Sequence, residues 1–294
     1  LKLKNWIWQS SIHIILAIVS MACILPFMLL FTSSITDEQE IYRNGYALFP
    51  QKISFAAYSY LLHDAEKITQ SIGVTLIITL VGTLIGLILI ALLAYPLSRK
   101  HLPGRNYWAF FVFFTMLFNG GLVPTYLVYT QLFDMKNSIW ALIVPGLLLN
   151  AFYVMLMRTF FATSIPEPVI ESAKIDGAGD FGTFIKIVLP LSLPILATVG
   201  LFQTINYWND WFNGMIYITD SRLFSLQNLL NRILLDIQFL ASSNFGSQAD
   251  VTTNAPMETV RMAMAVIGVV PILAAYPFFQ KYFVKGLTVG AVKG

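Results

Sequence analysis

The chain is short of charge. Asp, Glu, Lys and Arg make up 11% of its 294 residues, against about 25% in a typical soluble domain. Hydrophobic residues reach 57% and the mean hydropathy is +0.71, so the sequence reads as an integral membrane protein. Cysteine is nearly missing: Cys23 stands alone, which excludes an internal disulfide and reads as a small buried hydrophobe. The histidines His13, His63 and His101 lie far apart and form no metal-ligand spacing, so no metal site is expected. No G-x-x-x-x-G-K-[ST] occurs, so the chain has no phosphate-cradling loop and any ATP must be handled by a partner. H-E-x-x-H and G-x-S-x-G are absent too, which argues against an intramembrane enzyme.

Long apolar runs are abundant. Residues 12–31, 72–96, 107–129, 140–161, 190–212 and 261–283 each approach the ~20 residues that cross a ~30 Å hydrocarbon core. Lys2 and Lys4 precede the first run, as in a secretory signal. Its length and the poor cleavage site Thr32-Ser33-Ser34 favour an uncleaved span. With the N-terminus inside, eleven of the 18 Lys and Arg residues fall on the cytoplasmic side, and Arg99-Lys100 in a short loop weighs most. The expectation is an all-α, multi-pass protein of six transmembrane helices forming one domain over 1–294, with both termini cytoplasmic. The net charge of +3 is then a topology signal and implies no nucleic-acid partner. Trp6, Trp8, Trp108, Trp140 and Trp211 cluster near the expected span ends, as interfacial aromatics do.

Two outer loops are long. Residues 32–70 begin with an acidic turn, Thr36-Asp37-Glu38. Residues 216–260 carry a stripe of Leu226, Leu229, Leu230, Ile233, Leu234 and Ile237 opposite Asn228, Asn231, Arg232 and Gln238, the pattern of an amphipathic helix over the outer mouth. In the second run, Gly82 and Gly86 form G-x-x-x-G, either a close-packing face or a chance spacing. Pro145-Gly146 breaks the fourth run.

The most informative segment is polar. ESAKIDGAGDFGTFIKIVLP, residues 171–190, interrupts the apolar text. Ser164-Ile165-Pro166-Glu167 reads as a capping box with an early proline. A short helix passes through Glu171 and Ala173, and Gly177 is placed to end it in a left-handed turn. Gly179 and Gly182 keep the next turn compact, and Pro190 opens the fifth span. The loop 164–188 is thus expected to be a short cytoplasmic helix joined rigidly to a span, with Ala173, Gly177 and Ala178 small enough for another surface to approach. An ordinary amphipathic connector is the plainer alternative.

The spacing of Glu171, Ala173, Gly177, Ile187, Leu189 and Pro190 resembles the signature loop of membrane permease subunits of bacterial ABC importers. Ser172 stands where the usual pattern has alanine. Phe118-Asn119-Gly120-Gly121-Leu122-Val123-Pro124-Thr125-Tyr126, Tyr207-Trp208-Asn209 and the segment from Tyr276-Pro277-Phe278-Phe279 to Lys293-Gly294 are similar to carbohydrate permeases of the maltose-importer superfamily, in the branch for complex oligosaccharides. This resemblance implies the type I ABC importer permease fold, with a coupling helix between spans 4 and 5. It implies a second homologous permease, an ABC ATPase dimer that holds the ATP and Mg, an extracytoplasmic sugar-binding protein, and transport by alternating access in a bacterial cytoplasmic (inner) membrane. It places Glu171, Ala173, Lys174, Asp176, Gly177, Ile187, Leu189 and Pro190 at the ATPase contact and sends the tail 284–294 between the ATPases. The implied cargo is an oligosaccharide from plant or algal polysaccharides, including uronate-containing ones.

The fifth run carries a second pattern. Gln203, Asn206, Asp210 and Asn213 are three, four and three apart, the spacing of one helical face. Polar side chains in a membrane face protein or a wet cavity, and amides with a carboxylate match sugar hydroxyls. Tyr207 and Trp211 flank them with flat faces for a sugar ring. The stripe is read either as a substrate path of Gln203, Asn206, Tyr207, Asp210 and Trp211 or as hydrogen bonding to the partner permease. Asn119, Asn150 and Tyr153 are weaker candidates, with packing the favoured role. The alternative function is an ion-coupled secondary transporter of a small polar solute. Such a protein needs ionisable groups near the midplane, and the centres of these runs hold none.

Overall fold

Apolar runs of this length have one open-ended solution in a bilayer: a helix, which pairs every backbone N–H and C=O within the segment. The computed structural model, which describes residues 2–63, 65–243 and 257–291, is helical accordingly. Among the described residues the only extended pairing outside helices is an isolated bridge between Thr36 and Ile53.

In chain order the elements are α1 (Lys2–Ser34), α2 (Glu38–Asn44), α3 (Ala56–Leu62), α4 (Ala65–Ser98), α5 (Arg105–Leu117), α6 (Leu122–Leu127), α7 (Trp140–Ile143), α8 (Ala151–Thr163), α9 (Glu167–Ile175), α10 (Asp180–Thr183), α11 (Leu189–Leu191), α12 (Leu193–Trp208), α13 (Phe212–Tyr217), α14 (Leu226–Ser243) and α15 (Met257–Ala291). Wide π-helical turns follow α6 at Val128–Leu132 and α10 at Phe184–Val188.

Among the described residues, Trp8–Ser34, Ala65–Ser98 and Met257–Pro277 are each long and apolar enough to cross a membrane. Two further candidates are bent pairs: Arg105–Leu117 with Leu122–Leu132 at 111°, and Asp180–Leu191 with Leu193–Trp208 at 80°. The expected third and fifth runs are therefore broken helices. The fourth is also divided, because α7 ends at Ile143 and α8 begins at Ala151, around the Pro145-Gly146 step, where Gly146 takes φ +71°. In α1 the apolar window is wholly exposed, and Cys23 is exposed with it, which corrects its reading as a buried hydrophobe.

The chain divides into two compact units, residues 1–68 with 230–271, and residues 69–229 with 272–294. In the first, the acidic turn is structural. Asp37 caps α2 and pairs with Lys52 at 2.9 Å, a contact that holds its carboxyl below the usual range. The Glu38 carboxylate accepts from the Glu258 and Thr259 N–H groups at 2.8 and 2.9 Å and from the Thr259 hydroxyl at 2.7 Å. It thereby caps the start of α15, where free N–H groups and the helix dipole favour an anion.

In the second unit, one buried cluster joins Ile90, Ala94 and Tyr95 of α4 to Val154, Met157 and Phe161 of α8, Ile170 of α9 and Val199 of α12. Another joins Val74 and Ile78 of α4 to α7, Tyr217 and Ile218. The G-x-x-x-G spacing is used: a Cβ at Gly82 would lie 2.4 Å from the Tyr207 ring, and one at Gly86 would lie 2.6 Å from Gln203 Oε1. The helix expected within 216–260 forms as α14, but Asn228, assigned to its polar face, is fully buried. A Cβ at Gly214 would meet it at 2.8 Å. Residues 244–256 of that loop lie outside the described residues. The expected tail from 284 continues α15 to Ala291, and its last residues, 292–294, also lie outside them.

Candidate functional site

The polar segment folds as a short helix braced against the ends of two longer ones. Arg99, just past α4, donates from Nη2 to the Phe161 carbonyl of α8 at 3.0 Å. Arg158 of α8 donates from Nε to the Leu97 carbonyl of α4 at 3.0 Å. Each cation thus serves the C-terminal end of the other helix, where free carbonyls and the dipole favour it. Tyr95 packs beneath, with Phe184 at 5.0 Å and Phe161 at 6.4 Å between ring centroids, and Arg99 lies 5.0 Å over its ring.

Helix α9 leaves from this floor. The expected capping box is not formed. Ser164 closes α8, its N–H bonded to the Phe160 carbonyl, and Pro166 is the N-cap of α9 with no side-chain cap bond. Glu167 pairs instead with Lys100 at 2.8 Å, which holds its carboxyl below the usual range. The C-terminus follows the sequence reading. Gly177 has φ +82°, its N–H reaches the Lys174 carbonyl at 3.0 Å, and the Ala178 N–H reaches the Ala173 carbonyl at 2.9 Å. That is a Schellman motif, whose left-handed residue is easiest for glycine. Lys174 then pairs with Asp180 at 3.2 Å, tying α9 to α10.

The expected coupling residues divide by orientation. Glu171, Lys174, Asp176, Gly177 and Pro190 are exposed, and Ile187 and Leu189 are half-buried. Ala173 is buried, at 6% exposure, and packs against the chain's own core. Two apolar residues that the spacing did not single out stand outward: Ile175 is 86% exposed and Phe181 is 66% exposed. An isoleucine amid ESAKIDGAG was the available signal.

The fifth-run stripe is not one face. α12 ends at Trp208, so Asp210 and Trp211 lie in the break and Asn213 lies in α13. Tyr207, nearly fully buried, donates its hydroxyl to the Ile143 carbonyl at 2.9 Å. Asn213 Nδ2 donates to the Pro145 carbonyl at 3.1 Å. Both satisfy backbone oxygens released by the break between α7 and α8, a requirement at membrane depth. Gln203 is 1% exposed, and among the described residues its amide has no partner. Asp210 is half-buried and accepts from the Asn213 N–H at 3.1 Å. Asn206 and Trp211 are exposed, and Asn206 donates to the Tyr153 hydroxyl at 2.8 Å. Asn119 and Asn150 accept from Gly121 and Phe152 N–H groups, so both are local turn and cap residues. Among the described residues no cluster of metal-ligating side chains occurs.

The family profile described as "Binding-protein-dependent transport system inner membrane component" matches residues 86–289. The chain is 38% identical over 294 residues to the "Polygalacturonan/rhamnogalacturonan transport system permease protein YtcP" of Bacillus subtilis (strain 168), a match spanning 99% of this chain and 100% of that protein. It is 27% identical over 282 residues to the "Arabinooligosaccharides transport system permease protein AraQ" of Halalkalibacterium halodurans, spanning 95% and 94%. Among solved structures, a chain from a bacterial ABC transporter involved in the import of the acidic polysaccharide alginate matches with a TM-score of 0.77 and 31% identity, over 95% of this chain and 98% of that one. The chain belongs to the family of binding-protein-dependent transport system inner membrane components, the non-catalytic permease subunits of ABC transporters.

Proposed function

We propose that this permease subunit carries an acidic oligosaccharide, a uronate-containing fragment of a plant or algal polysaccharide, across the bacterial inner membrane by alternating access. α9 couples it to a partner ATPase dimer. A second permease and an extracytoplasmic binding protein complete the assembly, ATP and Mg reside on the ATPases, and both termini and α9 lie in the cytoplasm of a six-span topology. The observation that carries the coupling role is α9 itself. It is a polar helix with a fixed glycine end, tied through the Glu167–Lys100 pair to the segment just past α4, which the Arg99–Phe161 bond in turn joins to α8. Its outward residues Glu171, Lys174, Asp176, Gly177 and Ile175 meet the ATPase, and Phe181 extends the apolar contact. Ile187, Leu189 and Pro190 pass its motion to α12.

The cargo class is supported by the acidic polysaccharides in the names of two relatives. Asn206 and Trp211 are the path residues open in this conformation, and Gln203, Tyr207 and Asp210 join them when the helices part. Two measurements test the proposal. In cells, excess unlabelled oligogalacturonate should suppress uptake of labelled oligogalacturonate while neutral oligosaccharides do not; equal suppression by both contradicts the cargo class. In a Cys23→Ser background, a cysteine at Ser221 should react with an impermeant thiol reagent added outside, and one at Ser172 should not. Labelling of Ser172→Cys from outside removes α9 from the cytoplasm and the coupling role with it.

A further inference from the structure

We propose that the cavity between the end of α4 and α9 binds the headgroup of an anionic phospholipid through Arg99. The cavity measures about 550 Å³, within the ~300–1,000 Å³ range of small-molecule sites. Leu92, Tyr95, Leu102, Ile170 and Phe184 give it apolar walls. Arg99 enters it from the floor. Its guanidinium is spread over Tyr95 and bonded to Ser98 Oγ at 3.0 Å and to the Phe161 carbonyl at 3.0 Å, yet among the described residues no carboxylate lies within ion-pair distance of it. Burial pulls its pKa below the ordinary value. Of the other lining charges, Glu167 pairs with Lys100 and also acts on Arg99 through space, and Lys174 pairs with Asp180. Glu171 is exposed.

A half-buried cation whose nearest acid is already paired with another cation is costly, and an anion supplied from outside offsets that cost. The position selects a lipid as its source. α4 is a membrane-crossing candidate that ends at Ser98, so Arg99 stands at the headgroup level. Leu92, 41% exposed, continues the apolar wall back along the span, where an acyl chain runs. Basic residues immediately beyond a span are the usual contacts of anionic headgroups, and the sequence here is Arg99-Lys100-His101. A free anion needs no apolar wall. The inference does not depend on which side of the membrane α9 occupies.

The test uses the whole transporter in nanodiscs of equal phosphatidylglycerol and phosphatidylcholine, with retained lipid counted by native mass spectrometry. The wild type should retain phosphatidylglycerol preferentially. Arg99→Gln should lose it at least about fivefold, and Arg99→Lys should keep most of it. Leu102→Trp fills the cavity while leaving the Arg99 bonds in place, so it should also lose the lipid and decides the matter if Arg99→Gln does not assemble. Retention of the two lipids in proportion, or wild-type phosphatidylglycerol in Leu102→Trp, overturns the site. Displacement of the lipid by excess inorganic phosphate makes it a free-anion site. Retention by the isolated permease but not by the whole transporter makes it a seat for an acidic segment of a partner subunit.

Discussion

The Tyr207 ring occupies the space that a side chain at Gly82 would need, its Cζ 2.4 Å from where a Cβ would stand. The ring is also pinned from its far end, because its hydroxyl bonds the Ile143 carbonyl at 2.9 Å. One glycine in α4 thus admits the side chain of α12 that repairs the break after α7.

Gly82→Ala should therefore be the more damaging of two similar changes. The ring has no room to retreat, and overpacking of this kind costs about 1–3 kcal/mol. At Gly86 the neighbour is the flexible end of Gln203, at 2.6 Å, so Gly86→Ala should cost well under half as much. Thermal unfolding of the purified complex reads the order, and Tyr207→Leu should restore much of the loss in Gly82→Ala. Equal effects at the two glycines contradict this packing.

The exchanged caps make a second expectation. Arg158→Ala leaves the Leu97 carbonyl without its charged donor, a loss of about 1–2 kcal/mol for a partly exposed bond. Arg158→Lys keeps the charge at the helix end and should recover part of it. An unfolding midpoint unchanged in Arg158→Ala removes the cap from the account.

Much of this arrangement was legible in the sequence, for identifiable reasons. Helices were fixed by apolar length, the end of α9 by Gly177, and the family by the spacing from Glu171 to Pro190, all of them local signals. The failures were tertiary. Periodicity alone put Gln203, Asn206, Asp210 and Asn213 on one face, but the helix stops at Trp208, and Tyr207 and Asn213 are claimed by carbonyls 64 and 68 residues earlier in the chain. Asn228 looked polar-facing because it lies opposite the apolar stripe in helical spacing, yet Gly214 gives it a buried seat. Ser164 looked like a cap for α9 because the motif is four residues long, whereas Glu167 had a stronger partner in Lys100, brought near only by folding.

Glu38 offers a third check. Glu38→Ala removes three accepted hydrogen bonds at the start of α15. Losing a helix N-cap costs about 0.5–2 kcal/mol. Hydrogen exchange at Glu258 and Thr259 should accelerate accordingly, with Glu38→Gln intermediate because it keeps an acceptor but not the charge. Unchanged protection at both amides contradicts the cap.

The Glu167–Lys100 pair predicts a pH effect. Its carboxyl is depressed in the folded chain by the Lys100 hydrogen bond. A depressed acid contributes stability that is present above its unfolded value, near 4.3 for glutamate, and is lost as pH falls through its folded value. Exchange of the first turn of α9, corrected for intrinsic rates, should therefore rise as pH drops below about 4.3. Lys100→Met should already show the faster exchange at neutral pH and respond less to acid. A pH profile identical in the two proteins contradicts the brace.

The most direct test of the coupling account is ATP hydrolysis by the reconstituted transporter, stimulated by loaded binding protein and measured per assembled complex, in Gly177→Pro. Proline holds φ near about −65°, cannot take the +82° found at Gly177, and removes the N–H that reaches the Lys174 carbonyl. The change dismantles the end of α9 without touching a membrane-crossing helix. The account predicts that the stimulation is lost while the complex still assembles. Stimulation equal to wild type in Gly177→Pro would contradict it.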